Sequence, residues 1–252
     1  MKILQEIGLF LKRRIKETLR QPVWIMSDLI TPLLYIFLFS PLLKNMGKPP
    51  LTTAQVLDNF VPGILTLLAF STGAGSGYTV IDELQSGVIE RLRVTPASRF
   101  SILMGMVLND IVDFLVPSIL VIIIASFFGF EIHTFGLIVL LILLCLLTAV
   151  VSASACSIGL ILKQIGSYAA LMGGLQLPLT LLSGVLLPLA LGPKWLQVIA
   201  HVNPMYYTVE ASRVLATGII KSTETLKAYS VMVPLSIVIL WWATKVYRKA
   251  VA

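Results

Sequence analysis

The sequence predicts an all-α membrane protein: six transmembrane helices, an N-terminal interfacial amphipathic helix, a short cytoplasmic helix and a re-entrant helical hairpin at the outer surface. Three observations carry this. First, hydrophobic residues make up 57% of the 252 and charged residues 12%, with a mean hydropathy of +0.94, where a soluble domain carries about 25% charged residues. Second, six apolar runs each approach or exceed the ~20 residues that a bilayer requires. Third, polar segments break the apolar pattern at Asp82 to Arg99 and at Pro188 to Arg213. No soluble domain of ordinary size fits between the runs, so residues 1–252 form one membrane domain.

Residues 1–22 come first. Ile3, Ile7, Phe10, Leu11, Ile15 and Leu19 recur at three- and four-residue spacing, with Lys2, Lys12, Arg13, Arg14, Lys16 and Arg20 around them. This is a basic amphipathic helix, expected to lie flat on an anionic leaflet, and Gln21-Pro22 stops it. No Ala-x-Ala-like site follows a short apolar core, so a cleavable signal is not expected. The spans are placed at 24–43, 59–80, 101–129, 135–162, 166–189 and 229–247. The third and fourth are longer than a bilayer needs and should tilt or protrude. With the N-terminus inside, 13 of the 19 Lys and Arg fall on inside segments. Both termini are therefore expected in the cytoplasm. The net charge of +7 then reads as topological and lipid-facing rather than as a nucleic-acid footprint.

Several chemistries are excluded. A phosphate cradle of the Gly-x4-Gly-Lys-Ser/Thr type is missing; Gly47-Lys48 is followed by Pro49. The chain is not expected to hydrolyse ATP. Ser183-Gly184 and His201 raise intramembrane proteolysis, but Leu181 stands two before Ser183 and nothing places His201 beside it, so His201 reads as the end of an interfacial helix. No His, Cys or carboxylate cluster has metal-ligand spacing. Cys145 and Cys156 lie about 16 Å apart along one helix, too far for a disulfide, and read as small apolar packing residues. His133, in the turn Glu131-Ile132-His133, reads as a solvated turn residue. There is no internal repeat.

Asp110 and Asp113 share a face of the third span. They are either intramembrane polar groups, functional by default, or residents of the inner interface; Asp28 reads as interfacial. Small residues cluster at Ser71 to Gly77, Ala149 to Gly159 and Gly173-Gly174, either as static packing faces or as sliding, pore-lining ones. In Asp82 to Arg99, Leu84, Val88, Ile89 and Leu92 form an apolar stripe with Glu83, Glu90, Arg91 and Arg93 opposite. This is a short amphipathic helix ended by Pro96, suited to a membrane surface or a partner's groove. In Pro188 to Arg213, Pro193 opens one short helix. Asn203 caps a second that starts at Pro204. Trp195, Tyr206 and Tyr207 are interface anchors, and Glu210 can pair with Arg213.

The Glu90 to Arg99 run, the Leu182 to Pro188 run and the Trp195, Asn203-Pro204, Glu210 and Arg213 array resemble the ABC-2 family of ATP-binding-cassette permeases, most of all its daunorubicin-resistance-type drug-export branch. The resemblance covers nearly the whole chain. It implies that segment 82–99 is the coupling segment that touches a nucleotide-binding ATPase subunit, with Asp82, Glu83, Gly87, Glu90, Arg91, Arg93, Pro96 and Arg99 as candidate contacts. Lys163 to Gly166 would be a second, shorter contact. Segment 188–215 would hold the outer gate, shaped by Pro188, Trp195, Asn203, Pro204, Tyr206, Glu210 and Arg213. It also implies a second, identical permease chain, ATP and Mg bound on the ATPase rather than on this chain, and residence in the bacterial inner membrane.

The leading expectation is thus export of a hydrophobic or amphipathic small molecule, a drug or a lipid. A polysaccharide or glycolipid cargo is the alternative within the family, although few aromatic rings fall in spans one, two and five. A stand-alone ion-coupled carrier using Asp110 and Asp113 is the alternative outside it, although such carriers show repeats and broken helices at the midplane. A purely structural anchor would not need the interrupted outer segment.

Overall fold

The computed structural model describes residues 2–19, 29–35, 37–38, 53–93, 98–185 and 193–251; all are helical or in short turns, without strands. The helices are α1 (Lys2–Leu19), α2 (residues 29–35 and 37–38), α3 (Thr53–Gln85), α4 (Val88–Arg93), α5 (Arg99–Phe127), α6 (Thr134–Leu162), α7 (Ile165–Leu181), α8 (Lys194–Ala200), α9 (Pro204–Ala216) and α10 (Thr223–Val251). Among the described residues, four stretches are long and apolar enough to cross a membrane: Val56–Gln85, Arg99–Phe127, Thr134–Leu162 and Thr223–Lys249. They contain the second, fourth and sixth predicted runs and all but the last two residues of the third. Most of the first run, Asp28 included, lies outside the described residues.

The fifth run is corrected. It was expected to reach residue 189, but α7 has 17 residues and ends at Leu181, about 26 Å of helix against a core of ~30 Å. Pro178 lies in its last turn, and the chain leaves through a 182–184 turn with Gly184 at φ +74°. Segment 82–99 is corrected as well. Its first residues continue α3 to Gln85; Ser86 and Gly87 then turn the chain, with Gly87 at φ +73°, where a side chain would be strained. Only 88–93 forms the separate short helix.

Two apolar clusters fill the bundle. One joins Leu57 to Phe70 of α3, Phe114 to Ala125 of α5, Leu137 to Val150 of α6, part of α9 and the start of α10. The other joins Val80 and Ile81 of α3, Ile89 of α4, Ile102 to Val107 of α5, Ala149 to Leu160 of α6, Tyr168 of α7 and the end of α10.

The small residues divide between the two readings. A Cβ on Gly73 would lie 2.9 Å from Val151 Cβ, and one on Gly159 would lie 2.8 Å from the Gly77 carbonyl oxygen, so these glycines let α3 and α6 touch. Gly173 and Gly174 of α7 face open space. The tightest backbone approach is Gly136, where a Cβ would stand 2.1 Å from the Leu215 carbonyl oxygen and 3.2 Å from Gly218 Cα. Gly136→Ala is therefore expected to destabilise the α6–α9 contact by about 1–3 kcal/mol or more, because backbone rather than a flexible side chain must give way. A melting curve of the detergent-solubilised variant checks this; an unchanged midpoint refutes it.

Candidate functional site

Polar side chains gather at the two ends of the bundle. At one end α3 and α6 stop and α5 begins; at the other lie α8, α9 and the start of α3.

At the first end, α1 packs its Phe10 side against α5, where a Cβ on Gly105 would lie 2.6 Å from Phe10 Cβ. Glu6, Phe10 and Arg14 are four residues apart and share that helix face. Arg14 Nη2 meets Glu83 Oε2 at 2.7 Å, and both side chains are nearly buried. Glu6 Oε2 accepts the Ser98 backbone N–H at 3.0 Å. Ser98 is also the N-cap of α5, its hydroxyl accepting from Ser101 N at 3.0 Å. Thus α1 holds both ends of segment 82–99. This corrects two expectations. Glu83 points inward to an ion pair instead of outward to a partner, and Arg14 turns into the protein instead of toward lipid headgroups.

Asp82 and Arg91 are exposed, Ile89 is buried beneath the short helix, and Arg99 is partly buried at the start of α5. Glu90 and Arg93 lie on α4, and Pro96 falls outside the described residues. Lys163 is exposed and caps α6 at φ +57°. Its carbonyl accepts from Gln85 Nε2 at 3.5 Å, so the end of α3 and the α6–α7 turn, expected to serve as two contact points, adjoin.

At the second end the problem is the early stop of α7. The last carbonyls of a helix lack intrahelical partners, and at membrane depth each unsatisfied group costs several kcal/mol. Turn N–H groups serve Pro178, Thr180 and Leu181, and side chains of α9 and its cap serve Leu179 and the turn that follows. Asn203 Nδ2 donates to the Leu179 carbonyl at 2.8 Å, while its Oδ1 accepts from Met205 N at 3.0 Å and starts α9 at Pro204. Arg213 Nη2 donates to the carbonyls of Gly184 at 2.7 Å and Val185 at 3.3 Å, and its Nε to that of Asn59 at 3.3 Å. Arg213 Nη1 pairs with Glu210 Oε1 at 3.0 Å, the expected partner. Burial lowers the Arg213 guanidinium from the ordinary arginine value, and the Glu210 carboxylate opposes that.

Tyr206 and Tyr207 stack edge-on at 5.5 Å and flank His201. His201 ends α8, and its carbonyl accepts from the Tyr207 hydroxyl at 3.0 Å. Pro193 precedes α8 as its N-cap rather than sitting in its first turn. Trp195 is 63% exposed, and Pro188 lies outside the described residues.

Asp110 belongs to neither end. It accepts hydrogen bonds from Ser76 of α3 and Ser152 of α6. Asp113 accepts from Asn109 Nδ2 at 2.6 Å. The sequence assigns Glu6 no role, Arg14 only a place on the lipid-facing basic face, and Ser76 and Ser152 only places in the small-residue clusters; for Glu6 and Arg14 the signal was present, since both fall in register with the apolar face of α1. Among the described residues no group of three or more His, Cys, Asp or Glu could hold a metal ion.

The family described as ABC-2 type transporter matches the chain over residues 5–216. A protein of Cyanophora paradoxa named as transport permease ycf38 is 32% identical over 218 residues, 84% of this chain and 74% of that one. Its namesake from Porphyra purpurea is 28% identical over the same shares of the two chains. A Streptomyces coeruleorubidus protein named as daunorubicin resistance ABC transporter permease DrrB1 is 22% identical over 199 residues, 78% of this chain and 70% of that one.

Proposed function

This chain belongs to the ABC-2 type transporter family, and from that premise we propose that it is the permease subunit of an ATP-driven exporter. It works with a separate nucleotide-binding ATPase and a second copy of itself, both termini in the cytoplasm of a plasma or inner membrane. Its cargo is a hydrophobic or amphipathic small molecule.

One observation carries the coupling reading. Segment 82–99 is clamped at both ends by α1, through Arg14–Glu83 and Glu6–Ser98, while Arg91 on the helix between them is exposed. A short helix held at both ends can act as a lever: a push on α4 moves α1, α3 and α5 together instead of bending a loop. The ATPase binds α4 and the neighbouring Lys163 turn, and its closure on ATP drives that movement. At the opposite end α9 holds the foot of α7, so Asn203, Glu210 and Arg213 shape the outer gate. The exposed apolar face of α7, where Gly173 and Gly174 face open space, leaves room for the second copy. The name of the Streptomyces relative and the uncharged sequence of α7 support an apolar cargo.

Co-purification tests this. Tagged chain extracted from its host in mild detergent is expected to bring down a stoichiometric ATPase. Glu90→Ala with Arg91→Ala is expected to lose that partner while keeping the helical content and melting curve of the wild type. No ATPase with the wild type, together with transport that collapses on dissipating the proton gradient and on Asp113→Asn, would overturn the proposal in favour of an ion-coupled carrier.

A further inference from the structure

A polar layer separates the two apolar clusters of the bundle, and the coupling reading does not use it. Ser76 of α3, Asp110 of α5 and Ser152 of α6 meet there. Counted from the helix ends at Gln85, Arg99 and Leu162, each lies about 13–17 Å along its helix. These helices are 29 to 33 residues long, about 44–50 Å against a core of ~30 Å, so the layer lies in the half of the bundle where α1 packs.

The three groups can be counted proton by proton. Both serine hydroxyls lie within hydrogen-bond reach of the same oxygen, Asp110 Oδ2, and the two hydroxyl oxygens are 3.1 Å from each other. Three oxygen–oxygen contacts need three protons, and the serines bring two. A carboxylate brings none, which leaves one contact as lone pair against lone pair beside a full buried charge, a costly arrangement. A carboxylic acid brings the third. Its O–H donates to one serine, that serine to the other, and the second serine back to Oδ2, so every contact becomes a hydrogen bond.

The charged and titratable groups that face Asp110 are Arg14 of α1, Asp113 of α5, Cys156 of α6 and Tyr168 of α7. They do not force it to ionise. Arg14 already holds the Glu83 carboxylate at 2.7 Å, and Asp113 stands one turn away on the same helix. A cavity of about 10 Å³, lined among others by Arg14, Ser76, Asn109 and Asp110, adjoins the acid. It approaches the size that holds one water, and Asn109 Oδ1, buried there, has no hydrogen-bond partner among the described residues. A water in that place gives Asp110 a means of exchanging its proton.

We propose that Asp110, Ser76 and Ser152 form a proton-binding site, in which the neutral acid closes a ring of three hydrogen bonds that fastens α3, α5 and α6 inside the bundle. Loss of the proton leaves the ring one hydrogen bond short and places a charge between the helices, so the site is a latch that opens on deprotonation. It goes beyond the exporter reading and holds whatever powers transport.

Infrared difference spectroscopy of the full chain in lipid nanodiscs tests it. At neutral pH, Asp110→Asn is expected to lose a carboxylic-acid C=O stretch and no carboxylate band. Its melting curve should stay near that of the wild type, because an amide nitrogen at that position donates to both serines while one serine donates to the other. Loss of a carboxylate band instead, with the acid region unchanged, overturns the proposal. Should Asp110→Asn fail to fold, Ser152→Ala is read in the same way: removing one ring hydrogen bond is expected to shift the acid stretch, and an unchanged acid region overturns the site.

Discussion

Arg14→Ala is expected to destabilise the chain by about 3–5 kcal/mol, the usual consequence of removing one partner of a buried ion pair, and to abolish coupled transport. The carboxylate of Glu83 stays behind, 8% exposed at residue level, with its cation gone. The effect has a structural part and a mechanical part, and a paired variant separates them. Arg14→Leu with Glu83→Leu removes both charges, and apolar replacement of a buried pair is often neutral or stabilising. The double variant is therefore expected to melt above either single change, as a positive coupling in a double-mutant cycle. Transport should nevertheless stay low, because α1 is no longer tied to the end of α3. A melting series in detergent and cargo-stimulated ATPase activity of the reconstituted complex give the two readouts. Arg14→Ala with wild-type stability and transport would show that α1 is only a lipid-facing helix.

The second large effect is expected at Arg213. Arg213→Ala removes four hydrogen bonds and leaves the carbonyls of Asn59, Gly184 and Val185 without that donor, again a loss of about 3–5 kcal/mol for a buried charged partner. Arg213→Lys is not conservative here. One ammonium cannot reproduce a planar fork that reaches carbonyls on two segments and the Glu210 carboxylate together. Glu210→Gln is expected to cost about 1 kcal/mol or less, since its partly exposed carboxylate makes one contact with Arg213. Hydrogen exchange locates the damage: amides 179–185 should exchange faster in Arg213→Ala, with the α3–α6 interface protected as before. Wild-type exchange there would mean that α7 ends without help from α9, and the outer-gate role of Arg213 would fall with it.

Much of the architecture was legible in the sequence. The positions of the second, third, fourth and sixth apolar runs, the cap at Asn203-Pro204 and the Glu210–Arg213 pair depend on spacing along one helix, and local spacing is what a sequence displays. The early end of α7 was not legible. The apolar letters run on past Leu181, but whether a helix in lipid can stop there depends on donors from elsewhere in the chain, and Asn203 and Arg213 are 24 and 29 residues away from the carbonyls they satisfy. Nor was the start of the short helix at Val88, since a positive φ at Gly87 is allowed by its residue type but demanded only by the packing around it.

The polar residues divide the same way. Composition alone determined that this chain lives in a membrane, since 12% charge cannot cover a soluble surface, and the basic face of residues 2–20 followed from helical periodicity. Only the tertiary structure decided that Arg14 meets Glu83, that Glu6 reaches Ser98, and that Ser76, Asp110 and Ser152 converge. Each of these contacts joins residues 34 or more positions apart, on helices whose sequences say which face is apolar but not which neighbour covers it. The physical reason is that burial free energy is additive and non-directional, so it can be read residue by residue, whereas a hydrogen bond or ion pair acts within about 3 Å and exists only once two helices have been set in register.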